Sequence, residues 1–300
     1  MKYRHGFHAG NFADVHKHVT QLALLAALER KDKGFLYLDT HAGRGSYDVS
    51  SPSPEAAAGI GCFLAAEHTA PELREYASLL ARFRARPGHR HFYPGSPLIA
   101  ALELRPQDRA VLIELAAAEA QPLKASVEAL SAHVDADLAP TDLSSGHPGA
   151  RRVHIERGDG FERMRAFLPP PERRALIFID PPYEETRDDF GRVSLALAEG
   201  LRRFPTGVFA AWYPIKEERL TAAWLANLSR ALSAPALVSE LWLYPRDSRV
   251  GLNGSGLLIA NPPYLTLERM QVWLPELQRC LAAGPAGGTS VRVCQNPPSK

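Results

Sequence analysis

The chain has 300 residues, 45% of them hydrophobic and 23% charged, and a formal net charge of +2. Such a composition excludes a disordered or wholesale polybasic chain and suffices for a sizeable core, while leaving room for a local basic face. Cys62, Cys280 and Cys294 are too scattered for a metal pair or a disulfide framework, so the sequence predicts a cytoplasmic protein that binds no metal. Its first residues, Met1 to His5, lack the apolar core of a signal peptide. The early apolar run 22–28 is too short to span a bilayer, so no membrane contact is expected.

In chain order, Val15, Val19, Leu22, Leu25 and Leu28 form one stripe of a helix over 13–30, with Asn11 as its cap. Residues 35–39 read as a buried strand, followed by the loop Thr40-His41-Ala42-Gly43-Arg44-Gly45. From 50 to 91 there is no strand signal; Leu73, Tyr76, Leu79, Leu80 and Phe83 recur at helical spacing, which marks a small helical insertion. Ser96-Pro97 then starts a helix, with Ser96 as the expected cap. Further strands are read at 111–114, 152–155, 175–180 and 207–212, with helices near 118–133, 161–167, 188–203 and 217–232 between them. Two last strands, 237–243 and 256–260, form an antiparallel pair before a helix over 265–281. This alternation predicts an α/β fold with a doubly wound, mostly parallel sheet. The organisation expected is an N-terminal motif, helix, first strand and glycine loop (1–49), the helical insertion (50–92), the rest of the α/β domain (93–283) and a loose tail (284–300).

Asp180-Pro181-Pro182-Tyr183 is the most specific signal. It ends a strand, where open α/β sheets bind ligands. An adenine amino group is a poor nucleophile because its lone pair is delocalised into the ring. A carboxylate (Asp180) and a carbonyl (Pro181) accepting its N–H groups localise that pair, and an aromatic face (Tyr183) stacks on the base. The prolines stiffen the turn. A second tetrad, Asn261-Pro262-Pro263-Tyr264, also follows a strand, but one expected to run antiparallel and to end at the opposite edge; Asp180 is therefore preferred.

Three other strand ends carry suitable groups. Gly43 and Gly45 let the backbone approach a nucleotide-like cofactor, although Asp48 stands where a dinucleotide fingerprint has its third glycine. Glu114 can accept from ribose hydroxyls, and Asp159-Gly160 can hold adenine; either acid can equally serve as a cap. In the histidine-rich start, His16 and His18 fall on different helix faces, and no common zinc spacing is present; His16 reads as a solvated surface residue. Arg82, Arg84, Arg86 and Arg90, with His89 and His91, form either a phosphate-contacting patch or a solvated face.

The blocks YRHGFHAGNFADVHKH, FLYLDTHAGRGSY, FYPGSPLIA, VLIEL, GDGF and IFIDPPYE, in order from Tyr3 to about Pro263, resemble the RlmJ family of bacterial 23S ribosomal RNA adenine-N6 methyltransferases. The resemblance implies a class I, Rossmann-like fold with a mostly parallel seven-stranded sheet, an antiparallel edge strand and a small helical insertion. It also implies S-adenosylmethionine as cofactor, bound by His18, His41, Ser96, Glu114, Asp159, Gly160 and Asp180. Asp180 is then the catalytic residue, Tyr3 contacts the RNA, and Lys17 belongs to a segment closing over the cofactor. The implied partner is 23S ribosomal RNA, free or early in assembly, acted on by a monomer. Rival readings are a DNA adenine methyltransferase, a non-catalytic nucleic-acid-binding protein and a nicotinamide-dependent oxidoreductase. The missing third glycine and the tetrad count against the last.

Overall fold

The computed structural model describes residues 8–137, 153–184, 186–248, 250–281 and 286–294. Helix α1 (Phe12–Glu29) starts where Asn11 accepts the N–H of Asp14 through its side chain, as its sequence predicts. It leads into β1 (Leu36–Asp39), whose four residues are all buried. A short strand β2 (Ser46–Asp48) pairs antiparallel with β3 (Phe92–Pro94), forming a stem for the insertion that the sequence did not announce. Within the insertion, α2 (Pro71–Arg84) buries Leu73, Tyr76, Leu79, Leu80 and Phe83, the predicted stripe. The insertion docks on the turn just ahead of α1, where the Ile60 N–H donates to the Gly10 carbonyl at 2.8 Å.

Helix α3 (Ser96–Glu103) follows, then β4 (Arg109–Glu114), α4 (Ala117–Asp137) and β5 (Val153–Arg157). Next come β6 (Ala175–Ile179), α5 (Thr186–Arg203), β7 (Val208–Ile215) and α6 (Glu218–Ala231). The chain closes with β8 (Ala236–Trp242), β9 (Gly254–Ala260), α7 (Thr266–Leu281) and β10 (Gly288–Cys294). The main sheet has eight strands in the order β10-β8-β9-β7-β6-β1-β4-β5. Strands β5, β4, β1, β6 and β7 are mutually parallel, and β9 runs antiparallel to both β7 and β8.

Two expectations change. The sheet gains an eighth strand because part of the predicted loose tail pairs antiparallel with β8 as β10. Ser96 does not cap α3; Gly95 holds that position and the serine hydroxyl is committed elsewhere. The remaining topology places the chemistry. From the central β1 the chain moves outward to β4 and β5, then returns to add β6 on the other side. The crevice at such a reversal is where open α/β sheets bind ligands. Asp39, ending β1, pairs with Leu112 on one side and Phe178 on the other, two residues before Asp180. No described helix is long and apolar enough to cross a membrane.

Candidate active site

The carboxyl ends of β1, β4, β5 and β6 converge on one cradle. Gly43 and Gly45 both have left-handed backbone, with φ of +63° and +82°, which glycine adopts without strain. The loop is held from β4, because the Glu114 carboxylate accepts N–H groups from Gly43 at 2.8 Å and Ala116 at 2.7 Å. Burial raises the pKa of Glu114, while those same backbone bonds lower it. Gly160 sits so close to β1 that a Cβ there would lie 1.9 Å from the Thr40 carbonyl oxygen. Leu115, following Glu114, is 64% exposed, an apolar side chain held open beside a carboxylate that the sequence reading missed.

Asp159 does act as a helix cap, its Oδ1 accepting from the N–H groups of Phe161 and Glu162, and its Oδ2 pairs with Arg192 at 2.6 Å. The Arg192 guanidinium lies 4.5 Å from the centroid of the Phe161 ring, whose edge meets His41. His41 is within hydrogen-bond distance of Thr40 Oγ1, and burial pushes its pKa down to about 4. Asp39 was not among the predicted site residues, yet it organises this end. It accepts from Tyr37 Oη, Ser96 Oγ and the His41 N–H, at 2.9, 2.6 and 3.2 Å. Burial of its carboxyl raises the pKa to about 6 against those three bonds. Ser96 thus reaches the cradle through Asp39.

Asp180 follows β6. Its Oδ2 accepts from the Lys17 ammonium at 2.6 Å, and Lys17 also pairs with Asp14 at 2.9 Å. Lys17 is only 3% exposed, so α1 delivers a buried cation to the carboxylate. The same ammonium lies 4.8 Å from the ring centroid of Trp212. Tyr183 is not the open stacking face expected of it. It is 2% exposed, its φ is +50°, and its ring packs edge-on against Phe190 and Trp212. The physical reason is its hydroxyl, which finds the Trp212 carbonyl in the interior at 2.6 Å. Lys216 holds the Tyr183 carbonyl from the other side at 3.3 Å.

The N-terminal histidines disperse. His8 contacts Glu55, and His18 contacts Tyr93 Oη at 2.7 Å, within a chain that continues to Tyr76. His16 is not a surface residue: it is fully buried between Ser255 Oγ at 2.9 Å and Ser239 Oγ at 3.0 Å. Tyr3 lies outside the described residues. In the basic stretch, Arg82 pairs with Glu103, and Arg84 and Arg86 donate to the carbonyls of Phe92 and Leu130, so these three serve the fold.

The second tetrad lies at the far pole. Asn261 donates both side-chain N–H bonds to the carbonyls of Pro205 and Gly207, and Pro263 accepts from Thr266 at the start of α7. A cavity of about 440 Å³ opens there beside Tyr264, Arg30 and Arg174. Arg174 donates to the carbonyls of Leu28 and Lys33 at the end of α1, a capping role.

The model of a family described as ribosomal RNA large subunit methyltransferase D, RlmJ, matches residues 32–294. The chain belongs to this family. It is 37% identical over 295 residues to ribosomal RNA large subunit methyltransferase J of Escherichia coli (strain K12), covering 97% of this chain and 98% of that protein. The enzyme of the same name from Haemophilus influenzae is 35% identical over 298 residues, with 97% and 98% covered. Among solved structures, protein LPL1258 from Legionella pneumophila superposes with a TM-score of 0.79 at 34% identity, covering 95% of this chain and 98% of that one. The fold is that of the class I methyltransferases, which use S-adenosylmethionine.

Proposed function

We propose that the chain transfers a methyl group from S-adenosylmethionine to the N6 amino group of an adenosine in 23S ribosomal RNA. One observation carries the reading: a half-buried carboxylate, Asp180, stands at the switch point of the sheet with one oxygen held by the buried ammonium of Lys17. A carboxylate has lone pairs for about four donors, so the other oxygen is left to accept an N–H of the amine. Family membership supplies the substrate class.

The cradle fits the cofactor. Glu114 accepts backbone N–H groups on both oxygens, and a carboxylate has room for about four donors, so it can still accept from a ribose hydroxyl. His41, Asp159 and Gly160 stand where the adenine end would lie, with His18 and Ser96 supporting the cradle from behind. When bound, S-adenosylmethionine supplies an electrophilic methyl group on a sulfonium centre. The chain's own part is positioning and charge. Asp180 and the Pro181 carbonyl accept the two N–H groups of the adenine amine and localise its lone pair. Transfer would break the methyl–sulfur bond, with its electron pair staying on sulfur, as the amine nitrogen takes the methyl; the cationic nitrogen would then lose a proton readily, and Asp180 is placed to take it. Lys17 offsets the charge of Asp180 while the amine is still neutral. Tyr183, held by Trp212, fixes the turn. A target base must leave its stack to reach Asp180, and Tyr3 with Lys17 is assigned to guiding it. Action as a monomer in the cytoplasm, on RNA that is free or early in assembly, belongs to the same proposal.

The experiment is incubation with labelled S-adenosylmethionine and, in parallel, protein-free 23S ribosomal RNA, assembled large subunits and duplex DNA. Label on N6-methyladenosine in the free RNA is the expected result. Label on DNA alone would replace the substrate, and no label on any of them would favour a non-catalytic binder.

A further inference from the structure

The geometry points to Trp212 as a positioning residue for methyl transfer: its indole face holds Lys17 against Asp180. The inference rests on the assignment of Asp180 and Lys17 made above. Three separate contacts meet at this one side chain and its backbone. The Lys17 ammonium lies 4.8 Å from the indole centroid, within cation–π range. The Trp212 carbonyl accepts the Tyr183 hydroxyl at 2.6 Å. Its indole N–H donates to Ser255 Oγ at 2.9 Å, and Ser255 in turn meets His16, the residue before Lys17 on α1.

These contacts close a loop. From Trp212 on β7 the chain of bonds runs through Ser255 on β9 to His16, with Ser239 on β8 at the other ring nitrogen. It therefore pins the rotation of α1 about its own axis. Lys17 is one residue further along and turns toward Asp180, reaching the indole face as well. A core filler would need none of this: Leu or Phe fills apolar space without an N–H to place. Trp212 is 8% exposed and spends its N–H inside the sheet, so its ring orientation is fixed rather than free to rotate.

The chemistry explains why such a holder is useful. Lys17 is shared between the carboxylates of Asp14 and Asp180. Without the indole face the ammonium is drawn more toward Asp14 and holds Asp180 less firmly, so that carboxylate loses its fixed orientation. A π face on the Asp180 side biases the ammonium back. In this way Trp212 acts through Lys17.

The test is a double-mutant cycle on methylation of protein-free ribosomal RNA, with kcat, S-adenosylmethionine affinity and melting temperature measured for each protein. Trp212→Leu should lower kcat about 10- to 30-fold, the factor that one desolvated cation–π contact supplies. Cofactor affinity should stay within about twofold, and Trp212→Phe should restore most of the rate by returning a ring. Lys17→Met combined with Trp212→Leu should be no slower than Lys17→Met alone, because residues acting through one another are not additive. Losses that multiply, or a Trp212→Phe enzyme as slow as Trp212→Leu, would overturn the inference. If Trp212→Leu does not fold, the cycle is run with Trp212→Phe, where partial but non-additive loss is expected. A Lys17→Met enzyme with the native rate would overturn the underlying site assignment instead, which keeps the two failures apart.

Discussion

The tetrads Asp180-Pro181-Pro182-Tyr183 and Asn261-Pro262-Pro263-Tyr264 share two prolines, a tyrosine and a position after a strand, yet they do opposite things. In the first, the acidic head keeps a free acceptor and is paired to a buried ammonium, while the tyrosine is drawn inside. In the second, both amide N–H bonds of the head are consumed by the carbonyls of Pro205 and Gly207, while Tyr264 stands 81% exposed. Strand direction makes the difference: β6 runs parallel to β1 and ends at the switch point, whereas β9 runs antiparallel to β7 and ends at the other pole. A tetrapeptide is a site only where the sheet presents it to a crevice.

The sharpest way to break this comparison is to remove each head. Asp180→Ala should lower methyl transfer about a hundred- to a thousandfold, the range for loss of one preorganised electrostatic group. The protein should still fold, because Lys17 retains Asp14. Near-native activity, measured with labelled cofactor, would remove the tetrad from the mechanism. Asn261→Ala should do the reverse. Its φ of +51° suits asparagine better than alanine, and two carbonyls lose their donor, so stability should fall by about 2 kcal/mol with activity per folded molecule unchanged. Denaturant midpoints and initial rates measure the two halves.

What the sequence disclosed about these regions follows a physical divide. The positions of Glu114 and Asp180 were legible because each ends an apolar strand, where a polar residue has local meaning, and those of Gly43 and Asp159 because each lies in the loop that follows a strand. The element pattern was legible for the same reason, from the stripe on α1 to the antiparallel pair β8 and β9. His16 was not: its partners Ser239 and Ser255 are 223 and 239 residues away, and nothing local marks a histidine as buried. Trp212 is an aromatic in an apolar run until the fold supplies Lys17. Ser96 looked like a cap because Ser-Pro starts helices, and only the closeness of Asp39 diverts its hydroxyl. Strand β10 was hidden in a tail whose glycines and prolines outweigh the short run Val291-Arg292-Val293 that pairs with β8.

Acid should separate the two regions further, since only the first leans on a buried imidazole. Burial holds the His16 pKa near 3, well below the ordinary 6.5, so the folded state binds this proton less readily than the unfolded chain. Its contribution is fully present above pH 6.5 and is lost as pH falls toward 3, by about 1.4 kcal/mol per pH unit. Asp39, raised to about 6, and Glu29, raised to about 7, act with the opposite sign over part of that range, so the native curve alone is uninformative. The difference between variants isolates the histidine. His16→Asn should be destabilised at pH 7.5, and the gap to the native protein should narrow by about 2 kcal/mol by pH 5. A gap that stays constant would mean that His16 takes up its proton without leaving its serines.

The smallest effect belongs to Tyr264. Its counterpart Tyr183 gives its hydroxyl to a buried carbonyl, so Tyr183→Phe leaves that acceptor unpaired and should cost about 1–3 kcal/mol. Tyr264 is mostly in solvent, and the turn around it is held by Asn261 and by Pro263 accepting from Thr266, so Tyr264→Ala removes little that the fold uses. Stability should change by no more than about 0.5 kcal/mol, as for exposed positions generally. Methylation of long ribosomal RNA should be native-like as well. A raised KM for RNA at unchanged stability and kcat would show that the exposed ring stacks on the substrate. The second tetrad would then be a docking element at the far pole, and strand direction would have separated two RNA-facing roles rather than a site from a structural turn.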